Sequence, residues 1–309
     1  VHATVPVDEF ETHRRHLLSV GYRLTGSVVD AEDAVQESWL RLQEMDAGTI
    51  RDLRAWLTTV VGRICLDHLR SAAVRREKYV GQWLPEPIVT PVASAGSGMS
   101  VDPLESVVRD EDARLAALVV LDTLGPDQRV AFVLHDGFGV PFDEIAGLLG
   151  HSVAGCRQLA SRARRTVAAA DVPPPDPGHD AAVGRLLAAM ATGDLQAVLD
   201  ALHPEAVVIG DAGGTTGTAL NVLHGADRFA RFFLGLAARY GDRMFASLEP
   251  AMVNGRLGLY SRGLPADGDH RGFPARAGGF TVRDGKVCAA YDFANPAKLG
   301  GVRIARPPT

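Results

Sequence analysis

Six side chains in one short stretch, Arg157, Gln158, Ser161, Arg162, Arg164 and Arg165, have the types and spacing needed to hold a nucleic acid. Arginine presents a planar fork of donors that fits a phosphate or the guanine edge, and glutamine can address adenine. Residues 151–170 contain four arginines and no acidic residue, so this stretch is locally positive inside a chain of net charge −5. Arg157 and Gln158, near its start, are placed to reach base edges, and the later arginines to neutralise phosphates. Alone, such a charge run is ordinarily a solvated helix face. What precedes it changes that weighing. A short apolar helix from Phe142 to Leu149, a break at Gly150 and Ser152 as a potential N-cap describe a helix-turn-helix whose second helix is the reader.

A second basic stretch sets Arg63, Arg70, Arg75, Arg76 and Lys78 against Asp67 and Glu77. Trp56, one to two turns upstream, reads as a core residue rather than a base-stacking platform, and these arginines alone would only solubilise a helix. Two separated basic helices in one chain, one of them inside a helix-turn-helix pattern, suggest a bipartite DNA reader.

The elements that must position these groups fall into three blocks. Before Trp83, apolar residues recur at three and four spacings (Phe10, Leu17, Leu18 and Tyr22; Ala34, Val35, Trp39 and Leu42; Trp56, Leu57, Val60, Val61, Ile64 and Leu69), which predicts amphipathic helices packed together, the second of them beginning at Asp30. Residues 83–102, rich in proline and small residues, read as a linker. Four further helical segments follow, Leu115 to Leu124, Asp127 to Leu134, Phe142 to Leu149 and Val153 to Val167. The run DVPPPDPG at 171–178 is a second, sharper boundary. Beyond it the texture is mixed. His179 to Ala191 and Leu195 to Leu202 are helical, whereas Ala206 to Ile209, Met252 to Tyr260, Gly279 to Arg283 and Val287 to Phe293 have strand composition, the last two joined by an Asp284-Gly285 hairpin turn. The predicted organisation is therefore 1–82, a linker at 83–106, 107–170, a proline-rich linker at 171–178, and 179–309.

The 309 residues, 46% of them hydrophobic and 22% charged, belong to a globular multidomain protein and exclude a disordered or collagen-like chain. Three distant cysteines, Cys65, Cys156 and Cys288, exclude a fully paired disulfide framework and any CxxC metal knuckle. No segment has the roughly 20 apolar residues of a membrane span, and the polar N-terminus is unlike a signal peptide, so a cytoplasmic protein with no membrane partner is expected. The histidines contain no HxH or HExxH cluster, and His13 with His16 lacks a third ligand; no metal or cofactor is expected. Residues 1–170 carry 18 basic against 23 acidic side chains and residues 171–309 carry 14 of each, so the acidity lies wholly in the DNA-reading part. A protein of that balance meets DNA in company rather than alone.

Three segments are recognisable: YRLTGSVVDAEDAVQESWLRL at 22–42, RAWLTTVVGRICLDHLR at 54–70, and LGPDQRVAFVLHDGFGVPFDEIAGLLGHSVAGCRQLASRARR at 124–165. Together, and in order, they resemble regions two and four of bacterial extracytoplasmic-function sigma factors. That resemblance implies all-α domains for both blocks, and core RNA polymerase (clamp helices and flap) and promoter DNA as partners. It implies that the helix bearing Asp30, Asp33, Gln36, Glu37 and Trp39 docks on the polymerase. Residues 63–76 with the loop 44–52 would open the −10 promoter element by capturing an unstacked base. Residues 157–165 would bind the −35 element.

The third block resembles a SnoaL-like domain, a cone-shaped α+β fold whose sheet curls around a pocket. The combination is similar to the sigma-factor group with a SnoaL-like C-terminal extension, in which a WLPEP motif in the linker and short motifs in the extension serve regulation. Trp83, Leu84, Pro85, Glu86 and Pro87 match the first in full. The Asp-Gly-Gly-Gly-Arg motif survives as Asp211, Ala212, Gly213, Gly214 and Thr215, and Asn-Pro-Asp-Lys-Leu as Asn295, Pro296, Ala297, Lys298 and Leu299, each having lost a charged side chain. Without the resemblance, WLPEP reads as a stiff exposed segment; with it, as a segment suited to being held by the C-terminal domain.

The expectation is a sigma factor regulated in cis by its C-terminal domain, which is not an enzyme. The alternative is a cyclase- or isomerase-type enzyme, or a small-ligand binder, in the third block, with the sigma-like part as a DNA-binding regulator. His203, Asp211, Tyr260, His270, Tyr291 and Asp292 are the acid–base candidates for it.

Overall fold

The computed structural model describes residues 5–76, 81–92, 107, 114–214, 216–266 and 271–304, with the side chains of 73–76 and 242 left aside. The chain divides into two compact units, residues 1–78 with 100–172, and residues 79–99 with 173–309.

In the first unit, α1 (Val7–Thr25), α2 (Val28–Gln43) and α3 (Leu53–Arg76) pack together. Asp8 and Glu9 in the first turn of α1 complement its dipole, and a left-handed Gly26 stops it. The second helix begins at Val28, two residues before the expected Asp30, because Ser27 caps it by accepting from the Asp30 N–H at 3.1 Å. Leu17, Leu18, Tyr22, Leu24, Val35, Leu42, Leu57, Val61 and Cys65 form the core between the three helices. The three-and-four spacing marks out all of these but Leu24 and Cys65, while Trp39, Trp56 and Val60, which it also marks, are only half-buried.

The remaining helices of this unit are α4 (Leu115–Leu121), α5 (Pro126–Phe132), α6 (Phe142–Leu149) and α7 (Val153–Ala169), with a π-helical turn at Val133–Gly137. Gly150, in the left-handed conformation, ends α6, and Ser152 caps α7 by accepting from the Gly155 N–H at 3.1 Å. The two helical groups are not separate bodies. Helix α3 packs on α5 and α6. Gly62 is the close-approach point: a Cβ there would lie 3.0 Å from a methyl of Leu134 and 3.1 Å from one of Leu148. Arg129, 1% exposed, ties the groups further. Its Nη1 donates to Asp122 at 2.8 Å, and its Nε and Nη2 both donate to the Arg23 carbonyl at 3.2 Å.

In the second unit a seven-stranded sheet runs β1-β4-β5-β6-β7-β2-β3, with β1 (Val89–Pro91) at one edge and the short β3 (Leu223–His224) at the other. Strands β2 (Leu202–Asp211) and β7 (Lys286–Phe293) are parallel, and the other neighbours antiparallel. Helices α8 (His179–Thr192), α9 (Leu195–Ala201) and α10 (Ala226–Tyr240) bury Val183, Leu186, Met190, Val198 and Phe229 against Val208, Phe280, Val282, Val287 and Ala290 of the strands. The stretch expected as one strand, Met252 to Tyr260, is two, β4 (Glu249–Val253) and β5 (Arg256–Ser261). They turn at Asn254-Gly255, whose φ values of 49° and 75° match those of Asp284-Gly285, 53° and 70°, between β6 (Arg276–Arg283) and β7. Both turns have the positive φ pair that keeps a tight hairpin in step with strand twist.

The largest difference from expectation concerns residues 83–106. Part of this stretch is an edge strand of the C-terminal sheet: β1 (Val89–Pro91) pairs antiparallel with β4, Val89 opposite Val253, Thr90 opposite Met252 and Pro91 opposite Ala251. Proline is tolerated there because the strand lies at the sheet's edge. The proline-rich boundary is tied down too, since Asp176 accepts from the Gly285 N–H at 3.1 Å.

Candidate nucleic-acid interface and linker clasp

Helix α7 is amphipathic: Cys156, Ala160 and Ala163 face the core, while Arg157, Gln158, Ser161, Arg162, Arg164 and Arg165 are all exposed. Arg164 is engaged, its Nε and Nη2 donating to the two oxygens of Asp136 at 2.5 and 2.8 Å from the π-helical turn. That pairing ties the helix to the π-helical turn. The Arg157 guanidinium lies 5.9 Å from the Phe142 ring, itself stacked on His135. Arg162 and Arg165 make no side-chain ion pair among the described residues.

On α3, Arg63 and Arg70 are exposed at the surface yet touch the helix-turn-helix group. Arg63 donates to the Gly147 carbonyl at 3.5 Å, and Arg70 to Asp127 at 3.1 Å. Asp127 also hydrogen-bonds His151 at 2.9 Å. Burial would raise the Asp127 carboxyl, but hydrogen bonds from His151 and Arg70 hold it below the usual carboxylate range. The backbones of Arg75 and Arg76 end α3, and Lys78 lies outside the described residues. Sequence reasoning missed Asp127 and His151. Their 24-residue separation carries no periodic signal, and only the turn between the two helices brings them together.

Helix α2 presents Asp33 and Gln36 to solvent, with Asp30 and Glu37 half-exposed. Glu37 is paired to Arg41, and Asp30 lies 3.5 Å from His68. Trp39 is half-buried, its ring 4.9 Å from Phe10, so it supports the surface from beneath. Two apolar side chains complete the same face, Val29 at 47% and Leu40 at 57% exposure. Their spacing from Asp33 and Gln36 is helical, but without a structure an exposed Val or Leu cannot be told from a core one.

In the second unit, the linker motif and the two C-terminal motifs meet. Residues 84–90 are buried and Trp83 half-buried, unlike the stiff exposed segment their prolines suggest. The Leu84 N–H donates to Asp211 Oδ2 at 2.8 Å, and Lys298 Nζ donates to the same oxygen at 2.6 Å and also to the Leu84 carbonyl. The Lys298 ammonium lies 3.3 Å from the centre of the Trp83 ring, a cation–π contact. Asp211 sits at the end of β2, where the chain turns through Gly213 and Gly214 with φ of 58° and 73°. Gly213 is also a close approach: a Cβ there would lie 2.7 Å from Asn295 Nδ2. Asn295 in turn caps the short helix Pro296–Lys298 by accepting from the Ala297 N–H at 3.1 Å, which aims Lys298 at Asp211. Downstream, Ile88 and Asn254 exchange hydrogen bonds of 3.1 and 2.9 Å, and Val89 bonds both Gly301 and Arg303. Pro85, Glu86 and Pro87 are buried in the stretch so held. The charged groups that the two shortened motifs retain, Asp211 and Lys298, are the ones that make this clasp. Thr215 lies outside the described residues.

Of the acid–base candidates of this unit, Tyr291 and Asp292 line a common cavity. Asp211 belongs to the clasp, while Asp292 accepts from Arg276 at 3.1 Å and from Thr218 at 2.5 Å. His203 accepts from the Glu205 N–H at 3.2 Å, and burial pushes the Tyr291 hydroxyl up to about 12. Tyr260 is buried, and His270 lies outside the described residues. Among the described residues no group of histidine, cysteine and carboxylate side chains could hold a metal ion, and no helix is long and apolar enough to cross a membrane.

Residues 10–75 match the family model Sigma-70 region 2, residues 114–167 match Sigma-70, region 4, and residues 183–290 match the SnoaL-like domain. The chain is 55% identical over 298 residues to the ECF RNA polymerase sigma factor SigJ of Mycobacterium tuberculosis, spanning 96% of this chain and 93% of that one. It is 40% identical over 223 residues to the probable ECF RNA polymerase sigma factor SigI of the same species, spanning 71% and 72%. The crystal structure of M. tuberculosis SigJ matches with a TM-score of 0.82 at 52% identity, covering 97% of this chain and all of that one. With both sigma regions and the SnoaL-like domain present in order and at this identity, the chain belongs to the ECF RNA polymerase sigma factors that carry a C-terminal SnoaL-like domain.

Proposed function

We propose that this sigma factor directs core RNA polymerase to its promoters under the control of its own C-terminal domain, exerted through residues 83–91. Asp30, Asp33, Gln36, Glu37 and Trp39, joined by Val29 and Leu40, form the surface for the polymerase clamp helices, and the helix-turn-helix unit meets the flap. Arg157, Gln158, Arg162 and Arg165 read the −35 element, with Arg164 as anchor and Ser161 beside them. Arg63, Arg70, Arg75, Arg76 and Lys78 serve the −10 element. Arg63 and Arg70 touch the helix-turn-helix group in the compact unit, so reading both elements requires the two groups to part. The connection between them includes the stretch held by Asp211 and Lys298, and a held connection restricts the separations the two readers can sample.

The observation that carries this reading is the shared contact of Leu84 and Lys298 with one buried oxygen of Asp211. Catalysis in the C-terminal domain has less support, because Asp292, its best-placed carboxylate, is already committed to Arg276 and Thr218. The test is run-off transcription with core polymerase. Arg157→Ala with Arg162→Ala is expected to lower promoter-specific initiation at least tenfold, and truncation after Pro177 to change it. Initiation insensitive to both would overturn the reading.

A further inference from the structure

Arg157 and Arg164 stand two turns apart along one face of α7, and one short element outside that helix reaches both. That element is the π-helical turn Val133–Gly137, a rare form of helix found mostly at functional sites. Asp136 takes Arg164 directly, accepting from its Nη2 at 2.8 Å. His135 reaches Arg157 through one intermediate. Its Nδ1–H donates to the Val140 carbonyl at 3.0 Å, which fixes the ring and places the proton, because a carbonyl can only accept. The Phe142 ring stacks on it, centroids 3.8 Å apart and planes 26° from parallel. The Arg157 guanidinium carbon lies 5.9 Å from the Phe142 centroid, within the reach of a cation–π contact, about 6 Å.

We infer that Phe142, backed by His135, is a positioning residue for promoter recognition: it holds Arg157 for one guanine of the −35 element and so sets the base preference at that position. The inference rests on the reading of α7 as the −35 helix and adds the part that aims it. A free arginine side chain samples many rotamers, and ordering it on binding costs affinity. Stacking holds the guanidinium by its face and leaves its edge, where the donors lie, open to O6 and N7 of guanine. Phe142 and His135 are half-buried and Arg157 is exposed, so the group that meets the base is supported by groups whose own positions are set by packing and a backbone hydrogen bond. Arg164, held from the same turn by Asp136, keeps the far end of the row in register with it.

The test uses core polymerase with the full-length factor on a pool of templates randomised across the −35 element, the templates that initiate being sequenced. The intact factor is expected to prefer guanine at the position Arg157 meets, and Arg157→Ala to erase that preference. Phe142→Leu, which keeps an apolar side chain but no ring face, is expected to reduce the preference at that same position at least fivefold and to leave the position met by Gln158 within about twofold. His135→Ala, which takes away the backing, should give the same pattern, whereas Phe142→Tyr should retain the preference. In the Arg157→Ala background, Phe142→Leu should change nothing further. A preference kept in both Phe142→Leu and His135→Ala, a loss spread evenly over all positions in a folded variant, or a further loss in the Arg157→Ala background would each overturn the inference. An unchanged preference in Arg157→Ala would instead overturn the reading of α7 on which it rests.

Discussion

Lys298 places its ammonium 2.6 Å from Asp211 Oδ2, with side chains only 5% and 0% exposed, and the same oxygen accepts the Leu84 N–H. A buried pair of this kind is a poor source of net stability, but removing one partner strands the other charge. Lys298→Met should therefore cost about 3–5 kcal/mol in the unfolding of the C-terminal unit, followed by denaturant titration. Lys298→Met combined with Asp211→Leu should recover most of that loss. In the double variant, which removes the acceptor, the Leu84 amide should exchange its hydrogen faster. Equal costs for the single and double variants would mean that the pair is not what the site depends on.

Arg129 makes the corresponding internal tie in the sigma unit. Its 1% exposed guanidinium holds Asp122 and, through two donors, the Arg23 carbonyl, so Arg129→Met should cost about 3 kcal/mol in the same kind of measurement. Arg129→Lys should recover little of it, because an ammonium lacks the fork that spans both acceptors. Full rescue by lysine would show that only the charge matters.

The pH response of the sigma unit should carry the signature of His16. Burial, then the positive charges of Arg54, His13 and Arg23, lower its pKa to about 4. The hydrogen bonds fix the neutral form. Thr58 donates its hydroxyl to the Arg54 carbonyl and so accepts from His16 Nε2 at 2.9 Å, while Arg54 donates to Nδ1 at 3.0 Å. The unfolded chain takes up a proton near pH 6.5 and the folded one resists until about 4. Stability from this group is thus intact above pH 6.5 and is lost as pH falls from 6.5 towards 4. Denaturation midpoints across that window should fall less steeply for His16→Gln, and identical slopes would remove His16 from the explanation.

What the sequence made legible, and what it did not, follows from the range of the interactions. The helices of the sigma unit, the Ser152 cap and the Asp284-Gly285 turn are local, and spacing or turn chemistry declares them. The Asn254-Gly255 turn carries the same chemistry as its counterpart, but it lies inside a run of strand formers and was absorbed into a single predicted strand. Residues 83–91 read as linker because proline and small residues dominate the stretch. Their place in the sheet depends on pairing with Ala251, Met252 and Val253, far along the chain. Arg164 shows the same limit. Four arginines within nine residues announce a basic helix, while the Asp136 that engages one of them comes from a turn whose shape no periodicity reveals.

The central claim, that the C-terminal domain acts through the held linker, is tested most directly by run-off transcription from core polymerase with the full chain and with the Asp211→Leu, Lys298→Met double variant. That variant keeps a packed core yet cannot hold the Leu84 backbone, and the account predicts that promoter-specific transcription rises at least threefold while affinity for core polymerase stays the same. Transcription that is unchanged or lower, in a variant shown to be folded, would contradict it.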